Sequence, residues 1–347
     1  MHSRLTATFA FSAAAAVISL AGCSGSSTPA GSQLPSSLQS IAHAARPPLG
    51  SRAAVRGLIL DPNTHPTARF PQAVNPLTGS EYVLYCGFTE SACYVINSSG
   101  SLVTTLTTGL DNPQGVAVGA LTSNWYIAST DNFTIPEYSV TASGSPSLIT
   151  TYNSAKDQYP VWPAVFEKGK KKITSTLAIS NIFNTSDKDP TVTTIDEKTG
   201  KTKTLTDFFA TEGIAVAFDS SGNCYWSYNP GTIVEYKKCK GDFTKVVTGI
   251  KFAGGLAFDS GDNLWYADQE KGVYKCTGTS NCTLQYSGFG DTFSIAFDST
   301  FSNLYVSDAA DEVIDICPLS GSTCSTFYTT PYGDQPYGVA LIPPLKP

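Results

Sequence analysis

The stretch that decides the fold is Gly255-Leu-Ala-Phe-Asp259, followed after a short turn by Asn263-Leu-Trp-Tyr266. It consists of an apolar strand, a turn rich in Asp, Gly and Asn, and a second strand that carries aromatic residues. Other copies of the first strand, some exact and some loose, are Gly115-Val-Ala-Val118, Gly213-Ile-Ala-Val-Ala-Phe-Asp219, Ser294-Ile-Ala-Phe-Asp298 and Gly338-Val-Ala-Leu341. The chain therefore repeats one supersecondary unit.

The spacing of the copies sets the size of that unit. Counted between matched alanines, the intervals are 40 residues from Ala217 to Ala257, then 39 to Ala296 and 44 to Ala340. The 100 residues between Ala117 and Ala217 predict one further copy, around Trp162-Pro-Ala-Val-Phe166. A third strand and a more variable fourth follow in each unit. Four short strands in every unit of about 40–50 residues are typical of a propeller blade.

We therefore predict an all-β protein, a six-bladed β-propeller of four-stranded antiparallel blades. The lone C-terminal strand Tyr337–Ile342 is expected to be the inner strand of the first blade and so to close the ring. A seventh blade is the alternative, because Phe70–Asn75 could also form an inner strand.

The repeats resemble NHL-type repeats and, more broadly, SMP-30/gluconolactonase-like and YncE-like propellers. The resemblance runs from about residue 70 to the C-terminus and is clearest in the units that begin near residues 213, 254 and 293. Gluconolactonase-like propellers hold a divalent cation in the central channel with Glu, Asp and Asn. The resemblance thus implies one possible set of Ca²⁺ ligands, formed by Asn112, Glu212, Asp291 and Asp334. The alternative is that these residues bond to backbone amides in loops.

Composition argues against several functional classes. The formal net charge is −6, and the most basic run, Lys168-Gly-Lys-Lys-Lys172, is interpreted as a solvated hairpin tip, so no nucleic-acid partner is expected. The three histidines, His2, His43 and His65, all lie outside the repeats. A Ser-His-Asp triad or a histidine metal site is therefore not expected, and no catalytic residue is assigned.

Nine cysteines make an odd number, and they resolve into four sequence-local pairs and one remaining residue, Cys23. Each pair brackets a short segment with turn residues, so the strands of a hairpin would bring its members to bonding distance. The predicted disulfides are Cys86–Cys93, Cys224–Cys239, Cys276–Cys282 and Cys317–Cys324. Spacings typical of zinc sites are missing.

The N-terminus is typical of a bacterial secretion signal. One basic residue, Arg4, precedes an apolar run from Leu5 to Leu20, and the ending Leu20-Ala-Gly-Cys23 resembles a lipobox. The resemblance implies cleavage before Cys23, acylation of that cysteine and a lipid anchor in the cell envelope. Ser24 after the cysteine favours the outer membrane if the host has two membranes. The predicted divisions are a signal peptide at 1–22, a disordered Ser/Pro/Ala-rich tether at 23–55 and the propeller domain at 56–347.

Residues that lead into the inner strands are expected to surround the mouth of the channel. Aromatic rings beside hydrogen-bonding groups suit a protein, peptide or carbohydrate ligand. The predicted ligand-binding residues are Gln114, Trp162, Glu212, Phe252, Asp291, Phe293, Asp334 and Tyr337. The leading interpretation is a monomeric, lipid-anchored binding module that needs no cofactor. The alternatives are a Ca²⁺-dependent lactonase-like hydrolase and a structural envelope protein. Asp268 and Asp308, which recur at the end of a second strand, are interpreted as braces for the following turn.

Overall fold

The structure of the protein is a computed structural model, and it describes residues 81–87, 91–140, 146–153, 158–169, 172–184, 189–207, 209–331 and 333–342. The predicted signal peptide at 1–22, the predicted tether at 23–55 with Cys23, and the first part of the predicted propeller domain at 56–80 lie outside these residues. So does the candidate strand Phe70–Asn75, on which a seventh blade would depend.

The described residues form six four-stranded antiparallel sheets, which we call blades I to VI. Blade I, from its innermost strand outward, is β24 (Pro336–Ile342), β1 (Tyr82–Gly87), β2 (Ala92–Asn97) and β3 (Leu102–Leu106). Blade II is β4 (Pro113–Val118), β5 (Trp125–Ser129), β6 (Thr134–Val140) and β7 (Pro146–Asn153). Blade III is β8 (Gln158–Lys168), β9 (Thr174–Asn184), β10 (Thr191–Asp196) and β11 (Lys201–Thr206).

The other three blades repeat this order. Blade IV is β12 (Glu212–Phe218), β13 (Cys224–Asn229), β14 (Thr232–Tyr236) and β15 (Phe243–Thr248), with a single 3-10 turn at Lys237–Cys239. Blade V is β16 (Ala253–Phe258), β17 (Leu264–Asp268), β18 (Gly272–Thr277) and β19 (Ser280–Tyr286). Blade VI is β20 (Thr292–Phe297), β21 (Asn303–Asp308), β22 (Val313–Pro318) and β23 (Ser325–Thr329). The predicted six-bladed propeller is confirmed.

The ring closes through the C-terminal strand, as the sequence predicted. β24 pairs antiparallel with β1 from Tyr82↔Ile342 to Gly87↔Pro336. The innermost strands contact one another in the order β24, β4, β8, β12, β16, β20 and back to β24. The first and last parts of the described chain therefore share one blade, and the stack of blades has no open end.

Small residues on the innermost strands are required where neighbouring blades approach most closely. A Cβ atom at Gly338 of blade I would lie 2.3 Å from the carbonyl oxygen of Gln114 in blade II. A Cβ atom at Gly115 would lie 2.5 Å from the carbonyl oxygen of Val161 in blade III. Because the contacted atoms belong to backbone, no side-chain rotation could relieve either clash. The glycines of the repeat are thus explained by packing around the axis.

Carboxylates also join blades at the face of the ring where the innermost strands end. Glu167 of blade III accepts hydrogen bonds from the backbone amides of Leu121, at 2.6 Å, and Thr122, at 3.2 Å, in the first turn of blade II. Glu81 of blade I accepts one from the amide of Ser299 in blade VI, at 2.7 Å. In both cases a carboxylate of the next blade bonds to a turn of the previous one.

The four predicted disulfides are present, and each lies within one blade. Cys86–Cys93 joins β1 to β2, and the other three bridges lie close to the ends of the third strands of blades IV, V and VI. The Cα–Cα distances are 4.1, 5.1, 3.8 and 4.2 Å in chain order. Hairpin pairing places the cysteines this close, as for Cys86↔Cys93 in the β1–β2 register.

Candidate functional site

We call the face of the ring at which all six innermost strands begin the entrance face. The pairing register between first and second strands shifts near the start of the innermost strand in every blade. The extra residues inserted by these shifts include Gln114, Val161, Ile214, Gly254, Phe293 and Tyr337. Such bulges redirect side chains and are frequent beside binding sites. Three of the predicted ligand-binding residues, Gln114, Phe293 and Tyr337, occupy them.

Asp268 and Asp308 hold the loops that lead onto the entrance face. Asp268 accepts hydrogen bonds from the backbone amides of Lys251, at 2.9 Å, and Phe252, at 3.3 Å. Asp308 accepts them from Gly290, at 2.7 Å, and Asp291, at 2.9 Å. Both carboxylates are buried. Their role is structural, because each fixes the two residues that precede an innermost strand.

In blade I the corresponding carboxylate comes from the loop instead of the strand. The matching strand position is Gly87, where a Cβ atom would lie 1.8 Å from Oδ1 of Asp334. Asp334 is buried, and Oδ2 accepts a hydrogen bond from the hydroxyl of Tyr85 at 3.5 Å. Burial, with the Asp334 carboxylate as the next cause, raises the pKa of Tyr85 well above its ordinary value. The structure thus places the predicted ligand-binding residue Asp334 against the second strand of blade I.

Glu212 is also bonded within its own blade. Its Oε2 accepts a hydrogen bond from Nδ2 of Asn229 at 3.0 Å, and both residues are buried. Burial raises the pKa of Glu212, while the bond from Asn229 lowers it in part. Asn229 in turn accepts a bond from the amide of Ala253 in blade V, at 3.4 Å. This pair links blades IV and V.

Most of the predicted aromatic residues fill the space between blades. The rings of Phe293 and Tyr337 have centroids 4.1 Å apart and cluster with Ala309, which closes the gap between blades VI and I. The ring of Trp162 lies against Gly115 of blade II and belongs to the same hydrophobic cluster as Ile214 of blade IV. All three aromatic residues are less than a tenth exposed. They give shape to the entrance face and present little surface for stacking.

Phe252 and Asp291 remain partly exposed, and Gln269 bonds to the backbone of Phe252 and to that of Thr292, the residue after Asp291. The amide of Gln269 donates to the carbonyl of Phe252 at 2.9 Å, and its own carbonyl accepts from the amide of Thr292 at 3.2 Å. The start of blade V is thereby tied to the start of blade VI. Gln269 lies outside the repeated sequence pattern, so the sequence did not indicate it.

A second exposed ring lies on the same face. Phe209, in the loop that leads to β12, is 70% exposed, more than any other large hydrophobic residue that the structure describes. Its amide donates to Oδ1 of Asp207 at 2.9 Å, and Nζ of Lys245 lies 4.8 Å from the ring centroid. The loop thus presents the ring outward on blade IV, against Lys245 of the outermost strand β15, and blade V with Phe252 is the next blade. Sequence reasoning missed Phe209, because nothing in the sequence distinguishes the second Phe of Asp207-Phe-Phe-Ala210 from a core residue.

The residues suggested for a Ca²⁺ site in the channel do not fit such an ion. Asp334 bonds to Tyr85 in blade I, Glu212 bonds to Asn229 in blade IV, and the backbone of Asp291 is held by Asp308. Within the described ranges, no group of three or more His, Cys, Asp or Glu side chains could hold a metal ion. No step of a hydrolytic reaction is therefore derived through a metal at this position.

Comparison with known proteins adds little at the level of sequence. No family model matches the chain. Over 100 residues it is 30% identical to the proto-oncogene tyrosine-protein kinase ROS of Gallus gallus, a match that covers 28% of this chain and 4% of the kinase. The chain thus spans a small fraction of the length of that curated relative.

Solved structures establish the fold. The chain is similar to a chain of a nidogen/laminin complex, with a TM-score of 0.61, 14% identity and coverage of 76% of this chain and 98% of that one. The chain is also similar to a catalytically inactive virginiamycin B lyase from Staphylococcus aureus with quinupristin, with a TM-score of 0.53 and 13% identity. That similarity covers 76% of this chain and 90% of the lyase. A functionally unknown protein from Desulfotomaculum acetoxidans is similar with a TM-score of 0.54 and 10% identity, over 76% of this chain and 99% of that one. These neighbours are β-propellers, as this chain is.

Proposed function

We propose that the protein is a lipid-anchored, monomeric binding module of the cell envelope, whose propeller holds a ligand at the entrance face. The observation that carries the binding role is the exposure of Phe209, together with the partial exposure of Phe252, on adjacent blades of that face. An exposed aromatic ring contributes most to the free energy of binding when a partner covers it, and aromatic residues are enriched at binding surfaces. Asp291 and the exposed Lys251–Glu270 ion pair, 3.2 Å apart, supply polar groups beside Phe252.

The chemistry of this face favours a peptide or a loop of a partner protein. A carbohydrate usually stacks on open aromatic faces, and Trp162, Phe293 and Tyr337 are buried between blades. An extended peptide needs an apolar side-chain contact and a few hydrogen-bonding groups, which Phe209, Phe252 and Asp291 provide. The proposal includes the assignment of the repeats to the NHL-, SMP-30- or YncE-like type. That repeat type agrees with a binding module.

The ligand site is tested by photo-crosslinking in whole cells. A benzophenone amino acid replaces Phe209 in one strain and Phe301 in another, since Phe301 is a partly exposed ring in the first turn of blade VI on the opposite face. We expect a discrete crosslinked protein from position 209 that is lost with the additional change Phe252→Ala, and none from position 301. Equal crosslinking from both positions would contradict the proposed site. Binding of the purified domain to a glycan array, lost with Phe252→Ala, would instead indicate a carbohydrate.

The anchor is tested separately. The described residues contain no helix long and apolar enough to cross a membrane. With Cys23 as the acylated residue, Cys23→Ser should abolish labelling by a palmitate analogue and release the protein from the membrane fraction. Cys224→Ser, which removes a cysteine placed in a disulfide, is the matched control and should keep the label. Persistent labelling of Cys23→Ser would contradict the lipoprotein assignment.

A further inference from the structure

Blade II carries a concentration of oxygen groups at the entrance face that neither the repeat pattern nor the proposed ligand site uses. The two segments involved have related sequences, Asp111-Asn112 before β4 and Asp131-Asn132 after β5. Their backbones pair, because the amide of Thr130 donates to the carbonyl of Asn112 at 3.3 Å and the amide of Asp131 to that of Asp111 at 3.4 Å. Two carboxylates thus lie on directly paired segments, an arrangement that is unfavourable unless something of opposite charge compensates it.

Asn112 shows where the compensating group would lie. It is 8% exposed, and its side-chain amide bonds to the carboxyl group of Asp131, so it extends into the space between the two segments. In the part of the chain that the structure describes, Oδ1 of Asn112 and Oδ1 of Asp131 are both buried and accept no hydrogen bond. Buried oxygen atoms are nearly always satisfied in native proteins. These two oxygen atoms, one of which belongs to the Asp131 carboxylate, lie near the Asp111 carboxylate and indicate a missing donor or cation.

The charge balance supports a cation over a neutral donor. Asp111 and Asp131 place two carboxylates on paired segments, and a cation would compensate both negative charges, whereas a neutral donor would compensate neither. Carboxylate, amide and backbone carbonyl oxygens together form the ligand set that Ca²⁺ prefers. The carbonyl of Gly109 also faces this segment, since Nδ2 of Asn132 donates to it at 3.4 Å.

We propose that Asp111, Asn112 and Asp131 form a Ca²⁺ site at the edge of blade II. The site shares only Asn112 with the channel set suggested by the gluconolactonase resemblance, and it is separate from the ligand site at Phe209 and Phe252. Two carboxylates and partial exposure favour an affinity typical of extracellular modules, with a Kd of about 0.1–1 mM. Bound Ca²⁺ would neutralise the facing carboxylates and fix the turn between β5 and β6.

The test measures Ca²⁺ binding by isothermal titration calorimetry and by the rise in melting temperature over an EDTA-treated sample. Asp131→Asn and Asp111→Asn should each weaken binding by about tenfold or more, because each removes a ligand charge. Glu212→Gln is the matched control, since it changes the channel set and leaves blade II intact. We expect it to bind Ca²⁺ like the unchanged protein.

Two results would overturn the proposal. One is the absence of Ca²⁺ binding up to about ten times the upper Kd given above. The other is binding that Glu212→Gln removes and the two aspartate variants retain, which would place the ion in the channel. Asp111 is exposed, so Asp111→Asn should fold normally and keep the test valid if Asp131→Asn does not. Neither result bears on the photo-crosslinking at position 209.

Discussion

A chain that ends at Gln335 and so lacks β24 is expected to lose its cooperative unfolding transition and to aggregate. β24 supplies the innermost strand of blade I, and all its residues except Leu341 are buried. Ala340 and Ile342 belong to one core cluster with blade II residues, and Val339 belongs to another with blade VI residues. The amide of Val339 also donates to Oγ of Ser294 at 3.0 Å. Without this strand both cores lose their covering, the edge of β1 is left unpaired, and the faces of blades II and VI that pack on β24 become exposed.

Thermal unfolding followed by circular dichroism, with size-exclusion chromatography, measures this effect. The control ends at Ile342 and keeps the whole of β24. We expect the control to unfold with the midpoint of the full chain. A protein ending at Gln335 that remained monomeric and unfolded with the same midpoint would show that the ring does not depend on the C-terminal strand.

The second large effect is expected for Trp226→Ala, which should lower the free energy of unfolding by about 3–5 kcal/mol. Trp226 is fully buried on β13 in a cluster shared by blades III and IV. Its indole nitrogen donates to Oγ of Ser180 in blade III at 3.0 Å, and its ring centroid lies 4.9 Å from that of Tyr228. Truncation would leave a cavity between two blades and an unpaired buried hydroxyl.

Chemical denaturation of variants provides the measurement. Trp226→Phe keeps a ring but removes the indole N–H donor. It should therefore lower the free energy of unfolding by much less than Trp226→Ala does. Leu284→Ala, at a position that is 47% exposed, should change stability by no more than about 0.5 kcal/mol. A change in the free energy of unfolding as small for Trp226→Ala as for Leu284→Ala would contradict the prediction. It would mean that the interface between blades III and IV repacks without leaving a cavity.

The sequence predicted the fold because the repeat determines it at several levels. Strand number, the spacing of the alanines and the glycines near the axis all describe a blade, and the lone strand Tyr337–Ile342 had no other place in a closed ring. The disulfides were predictable for a similar reason. Their members lie 6 to 15 residues apart, a separation that one hairpin or turn can bridge.

The details of the entrance face could not be obtained in the same way. Position along the chain indicated which residues lie near the axis, but a register shift at the start of each inner strand decides where their side chains go. Trp162 and Tyr337 therefore pack between blades, although their type and place suggested an open binding surface. Asp334 was suggested as a channel ligand from its position before β24. The sequence does not show that its carboxylate occupies the space that a side chain at position 87 would fill. Asn112 was expected among the channel oxygens, and the structure pairs it with Asp131.

The exchange between Gly87 and Asp334 has a consequence for how repeats of this kind are compared. Alignment columns compare residues at matching positions, so a blade whose carboxylate has moved from strand to loop scores as divergent even though the same space is filled. That contributes to the poor match of blade I to the repeat. Among relatives, we expect an acidic residue at the position of 87 only where 334 is small, so these two columns should vary together. Comparing blades by the volume each group occupies would detect repeats that residue-by-residue alignment discards.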